Sequence, residues 1–280
     1  MISTSTRLVA LLGSPVAHSL SPAFQNAAFE TAGVDGVYLA IRCESGEVAG
    51  LIRGIARSGG AGNVTLPHKE EAARAVELPS DLVVRTRACN TFWLDSGMIR
   101  GENTDVAGFQ GAVRSLLGRS ASGLRVLLLG AGGSARGVLT ALLDDEAKEI
   151  VLLNRTVEKA RLLAEELGGG RTRVAASEVE VEDSPFDLIV NTTALGLSDS
   201  DRLPVALERL RDPGAILDIA YRPEETPLVH RARELGIPAA DGGEMLVLQG
   251  AESFRLWWGI EPSLTEMRGA LQAARQKGGA

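Results

Sequence analysis

At 280 residues, 45% of them hydrophobic, the chain is long for one core and can fill one large interior or two modest ones. Its 29 Lys and Arg against 36 Asp and Glu give a formal charge of −7, which argues against a nucleic-acid groove or an anionic membrane surface as the main partner. The two cysteines and three histidines stand apart, so no zinc site is expected and the thiols read as reduced.

The N-terminal stretch MISTSTRLVALLGSPVAH has too short an apolar block for a signal peptide, and no later run approaches the roughly 20 residues of a membrane span. A cytoplasmic, enzyme-sized protein is expected. Strands are predicted at Leu8–Leu12, Val37–Ile41, Asn63–Leu66 and Thr91–Leu94, with a helix over Pro22–Ala32 closed by Gly33. After Pro67 a second helix carries Ala72, Ala73 and Ala75, and puts Lys69 on its first turn, where the helix dipole slightly disfavours a cation. TFWLDSGMIRGEN, residues 91 to 103, reads as an antiparallel hairpin about Asp95-Ser96-Gly97.

Val106, Phe109, Val113, Leu116 and Leu117 recur at helical spacing. Beyond them, strands at Arg125–Leu129, Glu149–Leu153, Asp187–Val190 and Ala215–Ile219 alternate with helices, one of them Val157–Leu167 ahead of a glycine triplet. EMLVLQGAESFRLWWGIEP is again an apolar helix, and only 198–203 and 276–280 read as loose. The alternation predicts an α/β fold of two domains, each with a mostly parallel sheet.

LRVLLLGAGGSARGVLTALL fits the G-x-G-x-x-[GA] turn: a buried strand runs into Gly130, Gly132 and Ala135 and then a helix. Such a turn either lets a pyrophosphate approach the backbone or serves only the shape of a tight connection. About 24 positions on, where a site for NAD places an acid, the sequence has Asn154, Arg155 and Thr156, with Lys159 one helical turn later. A guanidinium, a hydroxyl and an ammonium attract a 2′-phosphate that a carboxylate repels, so NADP(H) is favoured over NAD(H). The plain alternative is a surface Arg and Lys with Thr156 as a helix cap.

Four polar clusters exceed what turns need: Ser19 and Ser21, then Asn63, Thr65 and Lys69, then Asn90, then Asp105. Taken singly, Ser21 reads as an N-cap before Pro22, Thr65 and Asn90 as strand residues, Asp105 as the cap of the helix from Val106, and Lys69 as a solvated lysine. Taken together they suit the reduction of a carbonyl by a nicotinamide cofactor, where the oxygen must gain a proton as the carbon gains hydride. A lysine oriented by an aspartate supplies that proton, and hydroxyls and amides suit a ring bearing hydroxyls and a carboxylate.

HSLSP, NVTLPHK, ACNT, ENTD, GAGGSAR, NRTVEKA, NTTALG, DIAYRP and MLVLQGAESFRLW, in that order, resemble the shikimate dehydrogenases. The resemblance implies a substrate domain, 1–104 completed by helices in 242–280, and a Rossmann domain at 105–241 that binds NADP(H). It also implies reversible reduction of 3-dehydroshikimate to shikimate on the way to aromatic amino acids, by a monomer or homodimer.

Carried over by position, Lys69 and Asp105 are the catalytic pair, with Lys69 the proton donor. Ser19 and Ser21 would bind the substrate carboxylate with Tyr221 nearby, and Thr65, Asn90 and Gln249 the ring hydroxyls. Gly130, Ala131, Gly132, Gly133 and Ser134 would cradle the pyrophosphate. Asn154, Arg155, Thr156 and Lys159 would hold the 2′-phosphate, and Gly242 would approach the nicotinamide.

Departures from the commonest family pattern are Cys89 before the site asparagine, Lys159 in place of arginine, Ala220 in place of a bulkier residue, and Glu244 in place of glycine. Cys89 raises the question of oxidation in the pocket. Two other readings stand beside the main one. A relative using quinate or an aminated shikimate is opposed by Ser21, where quinate-using relatives resemble one another in carrying threonine. A nucleotide- or shikimate-sensing protein without catalysis is opposed by the retention of Lys69 and Asp105.

Overall fold

Alternation along Arg7–Gly13 (β1) sends Val9 and Leu11 into one core and Ala10 and Leu12 into another, as a period of two requires. This strand belongs to the first of two compact units in the computed structural model, which describes residues 2–198 and 201–278. The first unit comprises 1–108 with 246–280, and the second 109–245.

In the first unit the elements after β1 are α1 (Ser21–Thr31), β2 (Gly36–Arg42), α2 (Val48–Arg57), β3 (Ala61–Val64), α3 (Lys69–Ala75), β4 (Leu78–Pro79), α4 (Asp81–Thr86), β5 (Thr91–Asp95) and β6 (Met98–Glu102). The sheet order is β2-β1-β3-β5-β6-β4. Pairings around β1 are parallel, and those of β5 with β3 and β6 are antiparallel. Asp95 pairs with Met98, leaving Ser96 and Gly97 as a two-residue loop with φ of 51° and 80°, the geometry that matches the twist of a hairpin. α5 (Asp105–Leu117) starts in this unit, and the division between the units falls inside it.

In the second unit, β7 (Arg125–Leu129), α6 (Gly133–Asp144), β8 (Glu149–Leu153), α7 (Val157–Leu163), β9 (Thr172–Ala175), α8 (Val179–Glu182), β10 (Leu188–Asn191), β11 (Ile216–Asp218), α9 (Pro227–Glu234) and β12 (Ala239–Ala240) follow in order. All pairings are parallel, in the order β12-β11-β10-β7-β8-β9. The order reverses between β7 and β10, the switch point at which doubly wound sheets bind ligands. α10 (Gly243–Trp258) and α11 (Leu264–Gly278) complete the chain. Val247, Ala251, Phe254 and Trp257 of α10, with Met267 and Leu271 of α11, pack in the core that holds Val9, Leu11 and the α1 residues Phe24 and Phe29.

Several elements differ from expectation. β3 ends at Val64, and Leu66 is exposed ahead of Pro67. The helix predicted through Leu167 is α-helical only to Leu163 and widens into a π-turn over Ala164–Gly168, where Thr172 Oγ1 donates to the Gly168 carbonyl at 2.8 Å. α11 runs through 276–278, which the sequence reads as loose, while 279–280 lie outside the described residues. In 198–203, residues 199–200 lie outside them too, and Asp201 Oδ2 accepts the Gly196 and Ser198 amides at 3.0 Å.

Candidate active site

In the first unit, Lys69 is the first residue of α3, and Asp105 the first of α5. Lys69 Nζ lies 2.6 Å from Asp105 Oδ2, and their side chains are 14% and 12% exposed. The carboxylate therefore offsets the unfavourable placement of a cation at a helix N-terminus. Asp105 is not the side-chain cap that its position suggests: its carboxylate is taken by Lys69 and Asn90, and its backbone N–H donates to Asn103 Oδ1 at 3.2 Å.

Asn90 is held by its backbone between strands, donating to the Glu102 carbonyl at 3.1 Å and accepting from Val64 N–H at 2.8 Å. The Thr104 N–H donates to Asn90 Oδ1 at 2.8 Å, which fixes the orientation of the amide. Asn90 Nδ2 then faces Asp105 Oδ1 at 2.9 Å and Gln249 Oε1 at 3.4 Å, while Gln249 Nε2 donates to the Leu246 carbonyl at 2.7 Å. Lys69, Asp105, Asn90 and Gln249 thus form one connected cluster from α3, α5, the entry to β5, and α10.

Ser21 is not an N-cap. It is the first helical residue of α1, Leu20 occupies the cap position without a side-chain bond, and the Ser21 N–H donates to Ser19 Oγ at 3.3 Å. Thr65 follows β3, and its methyl fits against Gly13, where an added Cβ would lie 2.4 Å from Thr65 Cγ2. Neither these serines nor Thr65 hydrogen-bonds the Lys69 cluster among the described residues. Cys89 is fully buried, its Sγ donates to the Thr91 carbonyl at 3.2 Å, and burial pushes its thiol up to about 12. So high a value keeps it out of the thiolate form that oxidants attack.

In the second unit the glycine turn follows β7. Gly130 has φ of +108° and approaches Thr192 so closely that a Cβ would lie 2.6 Å from Thr192 Oγ1, so shape alone requires this glycine. Gly132 and Gly133 are different: a Cβ there meets no heavy atom within 4 Å. Gly132 is the N-cap of α6 and offers no side chain to its free amides. Ala131 lies in the turn, Ser134 is in the first turn of the helix, and Ala135 is wholly buried against the sheet. Open space and uncapped amides at a 12-residue helix fit a pyrophosphate.

Beside the ends of β7 and β8 is a cavity of about 470 Å³ lined by Leu129, Leu153, Asn154, Arg155, Thr193 and Leu195, among others. Asn154 Nδ2 donates to the Thr156 carbonyl at 2.8 Å, and Thr156, at the N-cap of α7, makes no side-chain cap bond. Arg155 and Lys159 are exposed and form no ion pair among the described residues, so their charges are open to a phosphate. Glu178 and Asp201 also line the cavity; Glu178 pairs with Arg202 at 3.6 Å, and the Ser198 and Gly196 amides hold the Asp201 carboxyl below its usual range. These residues fit an NADP(H)-type dinucleotide.

Tyr221 lies past β11 in the second unit, in irregular backbone. Gly242 precedes α10, and a Cβ on it would lie 2.1 Å from the Ile219 carbonyl oxygen, so close backbone packing already requires glycine there. Glu244, in the first turn of α10, accepts from Ser115 Oγ at 3.3 Å.

Sequence reasoning missed the groups behind this site. Tyr38, Thr91, Thr104 and Ser253 are buried and hydrogen-bonded around Asn63 and Asn90, and Asn191, Asp218 and Thr226 form a second buried network in the other unit. Only polar residues inside otherwise apolar runs, such as Ser253 beside Phe254, signalled them.

Family models for the shikimate dehydrogenase substrate binding domain, the shikimate/quinate 5-dehydrogenases and the shikimate 5′-dehydrogenase C-terminal domain match residues 11–92, 112–226 and 242–272. A shikimate dehydrogenase (NADP(+)) of Rubrobacter xylanophilus is 40% identical over 96% of this chain and 97% of its own length. The crystal structure of shikimate dehydrogenase from Aquifex aeolicus is similar at a TM-score of 0.90 and 36% identity, covering 97% of this chain and all of that one. A Thermus thermophilus shikimate 5-dehydrogenase, solved with NADP(H) and shikimate, has a TM-score of 0.86 at 36% identity, over 96% and 99% of the two chains. With the glycine turn, the α/β units and the lysine–aspartate pair in one chain, and relatives matched along nearly all of it, this chain belongs to the shikimate dehydrogenase family.

Proposed function

We propose that this protein reversibly reduces 3-dehydroshikimate to shikimate with NADP(H), in the route to aromatic amino acids. The observation that carries this reading is the Lys69–Asp105 pair, 2.6 Å apart and mostly buried beside Asn90 and Gln249. In reduction, Lys69 Nζ gives its proton to the ketone oxygen, and in oxidation it receives the hydroxyl proton. The Asp105 carboxylate balances the ammonium and fixes its direction, and the Asn90 amide holds it from the other side. Bound NADP(H) supplies or accepts the hydride.

Asn90, Gln249 and Thr65 read the ring hydroxyls, and Ser19 and Ser21 the carboxylate. The turn Gly130, Ala131, Gly132, Gly133 and Ser134 would hold the pyrophosphate of bound NADP(H), Asn154, Arg155, Thr156 and Lys159 its 2′-phosphate, and Gly242 would approach the nicotinamide. In this reading 1–104 with 242–280 is the substrate domain, 105–241 the cofactor domain, and the enzyme works in the cytoplasm as a monomer or homodimer. Among the described residues no helix is long and apolar enough to cross a membrane. Nicotinamide absorbance with shikimate or quinate and either NADP+ or NAD+ tests the reading. A larger kcat/KM for shikimate with NADP+ is expected, and a larger value for quinate overturns the substrate assignment.

A further inference from the structure

Ser253 sits on α10 one turn after Gln249 and is wholly buried, between Phe254 and the core residues Ala251 and Val247 of the same helix. A hydroxyl in such a place is costly unless bonded. Ser253 meets that need with partners from three other parts of the first unit: Asn63 Nδ2 at 3.0 Å, Thr91 Oγ1 at 2.8 Å and Thr104 Oγ1 at 3.1 Å. Its own helix adds the Gln249 carbonyl at 3.0 Å.

Counting hydrogens orders this cluster. The Gln249 carbonyl can only accept, so the single Ser253 hydrogen goes there. The Ser253 lone pairs then take Asn63 Nδ2–H and one threonine hydroxyl, Thr91 or Thr104, and the other threonine gives its hydrogen to Asn90 Oδ1, which lies 3.0 Å from Thr91 Oγ1 and 3.2 Å from Thr104 Oγ1. Asn63 is itself oriented, because its Oδ1 accepts from the Tyr38 hydroxyl at 2.8 Å. Ser253 therefore ties the carbonyl of Gln249 to the two threonines that flank Asn90 and Asp105 in sequence.

We propose that Ser253 is a positioning residue for substrate recognition, whose hydroxyl holds the Gln249 turn of α10 against Asn90 and so sets the spacing of the two amides that read the ring hydroxyls. This rests on the proposed shikimate dehydrogenase function. Ser253 touches no substrate and acts through Gln249.

The test is Ser253→Ala, which keeps helix propensity, assayed with shikimate and NADP+ in the wild-type and Gln249→Ala backgrounds. In the wild-type background the shikimate KM rises roughly 5- to 30-fold, the effect of one buried hydrogen bond, while the NADP+ KM moves less than about twofold. In the Gln249→Ala background the same substitution adds less than about twofold. An unmoved shikimate KM, an equal rise in both KM values, or an equal effect in both backgrounds overturns the role. Wild-type protein that fails to turn over shikimate instead overturns the functional reading, and this inference with it.

Discussion

Asn90 donates to Asp105 Oδ1 at 2.9 Å while its own side-chain oxygen accepts the Thr104 backbone N–H at 2.8 Å, so the amide cannot be turned round without losing both bonds. Asn90→Asp keeps the second contact and replaces the first with two facing carboxylate oxygens. Loss of the donor beside a charge is expected to lower kcat/KM for shikimate by roughly 10- to 100-fold. Steady-state kinetics of Asn90→Asp at neutral pH check this, and wild-type values contradict it.

Arg155 is exposed at the edge of the second-unit cavity without an ion-pair partner among the described residues. Arg155→Ala is expected to raise the KM for NADPH by roughly tenfold or more and that for NADH far less, because only NADPH carries the 2′-phosphate a guanidinium would hold. Equal shifts for the two cofactors would place recognition of that phosphate elsewhere.

Two glycines separate a role in binding from one in folding. At Gly132 a Cβ enters open space, so Gly132→Ala is expected to leave the melting temperature within about 2 °C of wild type while weakening NADP+ binding roughly tenfold. At Gly242 a Cβ would sit 2.1 Å from the Ile219 carbonyl oxygen, so Gly242→Ala is expected to destabilise the fold by about 1–3 kcal/mol. Thermal unfolding and NADP+ titration of both variants distinguish these effects. The reverse pattern contradicts the assignment.

Asp218 is wholly buried, and burial pushes its carboxyl up from 3.8 to about 6 against the opposing bonds from Thr226, Ala220 and Asn191. The folded state therefore binds this proton more tightly than the unfolded chain. The resulting stability is fully present below the unfolded value of 3.8 and is lost as pH rises through about 6. The difference between 3.8 and about 6 corresponds to about 3 kcal/mol between the two limits. Denaturant unfolding of wild type and Asp218→Asn from pH 4 to 7 is expected to show wild type losing stability relative to the variant as pH rises. Parallel curves contradict it.

The strands Arg125–Leu129 and Glu149–Leu153 were legible to the residue because a strand buried on both faces is a continuous apolar run. The hairpin was legible because Ser96-Gly97 suits only a few turns. Ser21 misled because serine before proline is a cap pattern, whereas here the helix begins at the serine itself. Thr156 does hold the cap position, yet makes no side-chain cap bond. Ser253 and Asp218 stayed hidden for another reason: Ser253 lies 190 positions from Asn63, and Asp218 27 from Asn191, and no local pattern pairs such residues. Lys69 and Asp105 are 36 apart and were joined only by asking what one reaction would need.

The most direct test is the steady-state kinetics of Lys69→Ala with shikimate and NADP+. Removing the ammonium while leaving Asp105 bonded to Asn90 is expected to lower kcat by roughly 10²- to 10⁴-fold with a much smaller change in KM, as for the loss of a proton-transfer group. A variant that keeps near-native kcat would make Lys69 a structural partner of Asp105 and remove the proton donor from the mechanism.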